Sequence, residues 1–380
     1  MDYSDYSFAH DKNVCSKHFY DDSICKFIND ESKKNICDYC HKKTNVISLE
    51  HLYEFLIEGI SKFYGNPDDE GVGFDSSEGG YLMADVYDKY DLISDVVGLD
   101  IIGDDLYDDI CDCFEDSLWC QTDPYNLPED EMFIFDWKYF CDLVKHKIRY
   151  TFFKYNEFNI EPEKEFSSIL YNIAQSVEAS NLITPVSAAK SIYRCRQHKE
   201  NELVLSMNRE LASPPQDKAI FSNRMSPSGI SMFYGSFDEE TAVKEAVVEA
   251  NKKNNPFLTV GRFVLRNEIN VIDFRNLPNV PSIFDRSKRH LYYKISFLKS
   301  FAKELSKDIV KDEKAHIEYV PTQILTEFFR FVFPGMTKSK IDGIIYPSSK
   351  NKGGDCCVFF FDNKECLDHF ELQNHETKLL

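Results

Sequence analysis

Between Asn66 and Asp136 the chain carries 22 Asp or Glu against one basic residue, Lys89. That local balance of −21 accounts for the whole net charge of −20, so the rest of the 380 residues sums to about +1. The segregation divides the chain, and its length agrees, since two domains are the natural expectation at this size. An acidic block repels a phosphate backbone, which disfavours nucleic acid as a partner of the N-terminal half. The near-neutral C-terminal half would not repel an anionic ligand.

A hydrophobic content of 43%, with 14% aromatics, is ample for real cores. No run of 18 apolar residues is present, so no membrane span is expected. The polar, acidic opening MDYSDYSFAHDKNVCSKHF lacks a basic leader and apolar stretch, which predicts a soluble, cytoplasmic protein. Twelve cysteines lie without framework spacing, as in Cys356-Cys357 and Cys111-x-Cys113, so reduced thiols and one metal site are expected.

That metal site falls in residues 1–48. Cys15-x2-His18 and Cys37-x2-Cys40 supply three thiols and one imidazole at the spacing of a tetrahedral structural zinc. Cys25 is a spare candidate for the fourth ligand. Helical spacing from Leu49 to Gly65 and from Trp137 to Phe153, and the run SSILYNIAQSVEAS, predict helices. Tyr81 to Trp119 reads as one or two acidic amphipathic helices with a solvated face. The Gly/Asp-rich segment 66–80 lacks both the lysine of a phosphate cradle and the register of a calcium loop, so it reads as surface. The stretch 49–183 is therefore expected to be all-helical, ending at NLITPVSA, where Pro185 interrupts the pattern.

From 188 to 370 strand patterns mix with helical ones without strict alternation, which predicts an α+β domain. SIYRCR opens it as a strand carrying Arg194 and Arg196. A Pro-rich loop, Leu211 to Gly229, presents Arg224. A short apolar run brings Tyr234, and a helix opened by Asp238 brings Glu245. A loop, a strand end and a helix can thus deliver an arginine, a tyrosine and a glutamate, ten and eleven residues apart, to one cleft.

The order Arg, Tyr, Glu at these intervals, with FYGS…ETAVKEA around the last two and a later IDGIIYPSSKNKGGDCCVFFF, resembles the RES domain over Ile192 to Phe361. The resemblance points to Ser348 as a fourth site residue. It implies a fold similar to ADP-ribosyltransferases and activity on NAD, often as a toxin paired with a helix-turn-helix antitoxin. The N-terminal part is similar to the HEPN-type domain that precedes some RES domains, through CDYC, SSEGGYL and FCDLVKHKIRYTFF. The ribonuclease branch of that family carries Arg before His; here His146 precedes Arg149, so scaffolding, oligomerisation or restraint of the other half is the expected role.

The chemistry fits this implied substrate. Cleavage of the ribose–nicotinamide bond passes through an oxocarbenium-like state, and nicotinamide leaves neutral, so one carboxylate suffices. Glu245 would hold the ribose hydroxyls or the developing cation. Arg224 would offer a planar fork to pyrophosphate, and Tyr234 a ring for nicotinamide. Ser348, or its neighbour Ser349, would hydrogen-bond ribose or phosphate. No G-x-S-x-G elbow surrounds that serine, which argues against a nucleophilic role. Arg194 and Gln323 form a second tier, Arg194 preferred over Arg196 and Gln323 read as structural. Two other outcomes stay open: ADP-ribosyl transfer to a protein, and a non-enzymatic zinc-bearing interaction protein.

Overall fold

Phe257–Leu265, rich in β-branched and aromatic residues, is the strand on which the second half of the chain is assembled. The computed structural model describes residues 11–77, 79–114, 116–153, 168–199, 210–307, 309 and 314–380. They form two compact units. One comprises 11–128 with Val280–Tyr292; the other takes the described residues of 129–279 and 293–380.

The second unit is built on an eight-stranded sheet. Its strands are β1 (Ile183–Val186), β2 (Ser191–His198), β3 (Phe233–Ser236), β4 (Phe257–Leu265), β5 (Ile269–Asp273), β6 (Gly343–Pro347), β7 (Asp355–Phe359) and β8 (Phe370–Leu379). They lie in the order β8-β4-β2-β3-β7-β6-β5-β1, antiparallel except for the β5–β6 pair. β4 pairs along its whole length with β8 and from Phe257 to Val264 with β2. The β2–β3 ladder is limited to Tyr193 opposite Ser236, so the sheet is joined weakly at that seam.

Among the helices of the unit are α1 (Glu129–His146), α2 (Ser168–Ala179), α3 (Glu239–Ala246), α4 (Tyr292–Leu305), α5 (Val320–Glu327) and α6 (Asn363–His369). The period-two alternation of β6 and β7 serves two cores. Ile344, Tyr346, Cys356 and Val358 pack with α1, α2, α4 and α5. Ile345, Cys357 and Phe359 pack with Phe233, Phe263 and Phe370 in the other cluster. A sheet buried on both faces needs continuous apolar runs, which GIIYP and DCCVF supply. Helices α1 and α2, which the sequence pattern groups with the N-terminal half, bury Trp137, Phe140 and Ile173 in this second unit. Pro185 sits inside edge strand β1, opposite Asn270, where its missing N–H costs no ladder bond.

The first unit is not all-helical, which corrects the expectation for residues 49–183. It holds a three-stranded sheet (Asn13–Val14, Lys43–Ser48, Lys33–Ile36), a second one (Tyr64–Gly65, Trp119–Gln121, Val86–Tyr87) and a hairpin of Phe74–Asp75 with Gly80–Tyr81. Most of these strands are two or three residues long, and KKNI is exposed throughout, so no alternation marks them in the sequence. Helices are present as well: Asp22–Glu31 capped by Asp21, Leu49–Ile60 capped by Ser48, and the acidic Asp104–Asp112. Leu52, Leu56 and Ile60 of the second meet Leu106 and Ile110 of the third in one core. Among the described residues no helix is long and apolar enough to cross a membrane.

Candidate functional site

The loop 222–228 has little regular structure, so its backbone polar groups need side-chain partners. Gln323 of α5 supplies several: its Nε2 donates to Ser222 Oγ (2.8 Å), to the Asn223 carbonyl (2.8 Å) and to the Ser226 carbonyl (3.3 Å). Thr322 donates its hydroxyl to the Arg224 carbonyl. The Tyr234 hydroxyl accepts the Met225 N–H (3.2 Å) and shares a hydrogen bond with Ser226 Oγ (2.9 Å). Arg224 is thereby held with its Nη1 donating to the Leu305 carbonyl (2.7 Å) and its Nη2 to the Lys307 carbonyl (2.5 Å). The Leu305 carbonyl ends α4 and that of Lys307 follows two residues on, where unpaired acceptors and the helix dipole both favour a cation. Burial pushes the Tyr234 phenol up to about 12, against the lowering effect of its bonds to Ser226 and Met225.

Glu245 lies near the end of α3, a helix started by Asp238, whose carboxylate accepts the Thr241 N–H at 2.8 Å. Ser348 Oγ donates to Glu245 Oε1 at 2.6 Å, and the Cys356 thiol donates to the same oxygen at 3.4 Å. The Ser348 oxygen also accepts the N–H groups of Lys350 (3.1 Å) and Asn351 (3.0 Å), so one hydroxyl closes the turn and orients the carboxylate. Asn351 Nδ2 donates to Thr241 Oγ1 (2.7 Å), and a Cβ at Gly354 would come within 2.0 Å of that oxygen. The turn is therefore pressed against α3. Burial, and then the Glu245 carboxylate, push the Cys356 thiol up to about 12.

At the weak seam of the sheet, Arg194 Nη1 donates to the Tyr234 carbonyl (2.8 Å), taking the place of a ladder N–H. Its guanidinium lies 4.9 Å from the Phe233 ring centroid. Here opens a cavity of about 350 Å³ whose lining includes Arg194, Arg224, Tyr234, Glu245, Tyr346 and Ser349. The structure thus brings together five of the seven residues expected at the cleft. Ser348 reaches it through Glu245. Gln323 lines a second cavity, of about 590 Å³, and acts on the first through the 222–226 backbone. Arg196 pairs with Glu210 at 2.7 Å. Tyr346, Cys356, Lys218 and Lys350 also line the cleft and were not singled out in the sequence. Tyr346 and Cys356 face each other across β6 and β7, and the alternation of GIIYP with Ser348 two residues on could have pointed to Tyr346.

In the first unit, the ligand atoms of Cys15, His18, Cys37 and Cys40 all lie within 4.8 Å of one another and could hold a metal ion. Cys15 Sγ is 3.7 Å from Cys40 Sγ, and Cys37 Sγ is 3.5 Å from His18 Nε2. His18 Nδ1 bonds the Ile102 carbonyl at 2.9 Å, which fixes the proton there and leaves Nε2 as the ligand. The Cys25 thiol instead donates to the carbonyls of Ser16 and Phe19, both at 3.3 Å.

Fold and site define a chain of two parts: a unit with a Cys3His cluster, and an α+β unit whose weakly joined sheet opens on one cation-rich cleft. The chain matches the HEPN/RES N-terminal domain 1 over residues 30–158 and the RES domain over residues 191–379, and it belongs to the RES-domain proteins. That family is associated with enzymes acting on NAD. None of the curated proteins compared with it matches the chain.

Proposed function

We propose that the protein consumes NAD by cleaving the nicotinamide–ribose bond, with water or phosphate as acceptor, and that NAD depletion makes it a toxin or defence effector. The observation that carries this reading is the carboxylate of Glu245, held at one oxygen by Ser348 and Cys356 in a cleft whose lining includes four cations and four tyrosines. A neutral leaving group needs no acid, and a fixed carboxylate gains strength as positive charge develops on the ribose. Arg194, Lys218, Arg224 and Lys350 outnumber the single acid of the lining, which suits a ligand with two phosphates. Tyr234 and Tyr346 line the cleft, where a tyrosine ring would suit nicotinamide.

The cation of the first unit is zinc in this reading, and its role is structural. With Zn–S bonds of about 2.3 Å and Zn–N bonds of about 2.0–2.1 Å, tetrahedral edges come to about 3.8 Å for S–S and about 3.6 Å for S–N. The distances of 3.7 Å and 3.5 Å match both edges.

Mass spectrometry of the products from NAD, with and without phosphate, tests the reaction. Nicotinamide with ADP-ribose marks hydrolysis, ADP-ribose 1-phosphate marks phosphorolysis, and a protein gaining the mass of ADP-ribose marks transfer. Glu245→Ala and Arg224→Ala abolish nicotinamide release. No release from the wild type under either condition refutes the proposal.

A further inference from the structure

The four cations of the cleft are not equivalent once their partners are counted. Arg194 holds the Tyr234 carbonyl and stacks on Phe233. Arg224 has committed both terminal nitrogens to the end of α4, where it fixes the wall that continues to Ile309. Lys218 and Lys350 line the same cavity, and among the described residues neither ammonium has a hydrogen bond or an ion pair. The contrast with Lys244 is instructive: it lies one residue from Glu245 yet is bound to Glu240 (2.5 Å) and Asn351 (2.7 Å).

The two free ammoniums come from different loops, each fixed by its backbone. Lys218 ends the single turn Gln216–Lys218, which is followed by Ala219, whose carbonyl accepts the Gly229 N–H at 2.7 Å. Lys350 donates its own N–H to Ser348 Oγ, so its side chain starts beside the carboxylate that Ser348 orients. Glu245, the one carboxylate of the lining, already receives Ser348 and Cys356. Two unpaired cations from different loops thus line one cavity. A point charge on a flexible stem suits phosphate oxygens that must be gripped and then released.

We infer that Lys218 and Lys350, rather than Arg224, make the principal contact with the pyrophosphate of the substrate, while Arg224 positions the cleft wall. The inference rests on the NAD-consuming reading of the cleft. Lys218 and Lys350 are binding residues in this assignment, and Arg224 is a positioning residue.

The test compares wild type with Lys218→Gln, Lys350→Gln and the double variant, using calorimetric binding of ADP-ribose and of inorganic pyrophosphate, and turnover of NAD and of nicotinamide riboside. Each single change is expected to raise the Kd for ADP-ribose and the KM for NAD about tenfold, the loss of one hydrogen bond to a charged group. The double variant raises them about a hundredfold, with kcat moved less than twofold. Nicotinamide riboside has no pyrophosphate, so its kcat/KM moves less than twofold. Lys→Arg at either position restores most of the affinity. A double variant that binds ADP-ribose like wild type, or that loses riboside turnover to the same degree as NAD turnover, overturns the inference. If wild type releases no nicotinamide, the reading of the reaction falls, and pyrophosphate binding still decides for the lysines: a loss in the double variant supports them. No binding to wild type, or equal binding to both proteins, overturns them.

Discussion

Ser348→Ala removes a hydroxyl that donates 2.6 Å to Glu245 Oε1 and accepts two backbone N–H groups. A hydrogen bond to a charged group contributes about 1.5–3 kcal/mol. If Ser348 acts by holding the carboxylate where ribose cation develops, that energy is lost from the barrier, and kcat falls about 10- to 150-fold. The Lys350 N–H is in an exposed turn and finds water; the half-buried Asn351 N–H accounts for a stability loss of about 1 kcal/mol, read as a shift in urea midpoint at constant m. An orienting role also separates kcat from binding. The Kd for ADP-ribose, measured by calorimetry, stays within about twofold of wild type, whereas a serine touching ribose or phosphate directly would weaken it in step with activity. Ser348→Thr, which keeps the hydroxyl, recovers most of the rate. A Ser348→Ala enzyme with wild-type kcat, or one whose ADP-ribose affinity falls as far as its rate, would refute the reasoning.

Cys356 and Tyr234 are acids held neutral by burial, each at about 12. Folded values above the unfolded ones mean that this stability is whole below about pH 9, and it is lost as pH climbs toward 12. The decline is up to about 1.4 kcal/mol per pH unit for each group. Urea unfolding at pH 8, 10 and 11 reads it, and Cys356→Ser, which does not titrate, flattens the alkaline limb. Gly354→Ala sets a methyl 2.0 Å from Thr241 Oγ1 and forces the 348–354 turn off α3. Overpacking of this kind costs about 1–3 kcal/mol, and nicotinamide release should fall further than the melting temperature suggests. Gln323→Ala removes the side-chain donor to the Asn223 and Ser226 carbonyls and leaves them only each other's backbone N–H, so proteolysis between 222 and 228 should speed up and KM for NAD should rise, with the fold retained by circular dichroism. Native mass spectrometry should find one zinc per chain in wild type and none in Cys37→Ala, whose first unit melts at a lower temperature because structural zinc contributes folding free energy.

The parts of this molecule legible in its sequence are those in which one residue's chemistry is tied to a short-range pattern. The two x2 spacings announced the Cys3His cluster, and the structure decided between His18 and Cys25 through hydrogen bonds that no spacing encodes: the Ile102 carbonyl on one, the carbonyls of Ser16 and Phe19 on the other. Arg224, Tyr234 and Glu245 were legible as a set because strand β3 and helix α3 are consecutive and short, so their intervals survive folding. Their individual tasks were not. Whether a guanidinium faces a ligand or the end of a helix 81 residues away depends on where Leu305 and Lys307 come to lie, and local sequence is silent on that. The same holds for strand β8, whose polar run ELQNHETKL is mostly exposed on a sheet edge and shows no buried face to betray it. The short strands of the first unit were missed for a related reason: a two-residue pairing such as Tyr64–Gly65 with Cys120–Gln121 has no period at all. Local pattern therefore picked out residues that line one cleft and the elements that carry them, whereas the partner of each charged group, which determines its role, is a property of the tertiary packing alone.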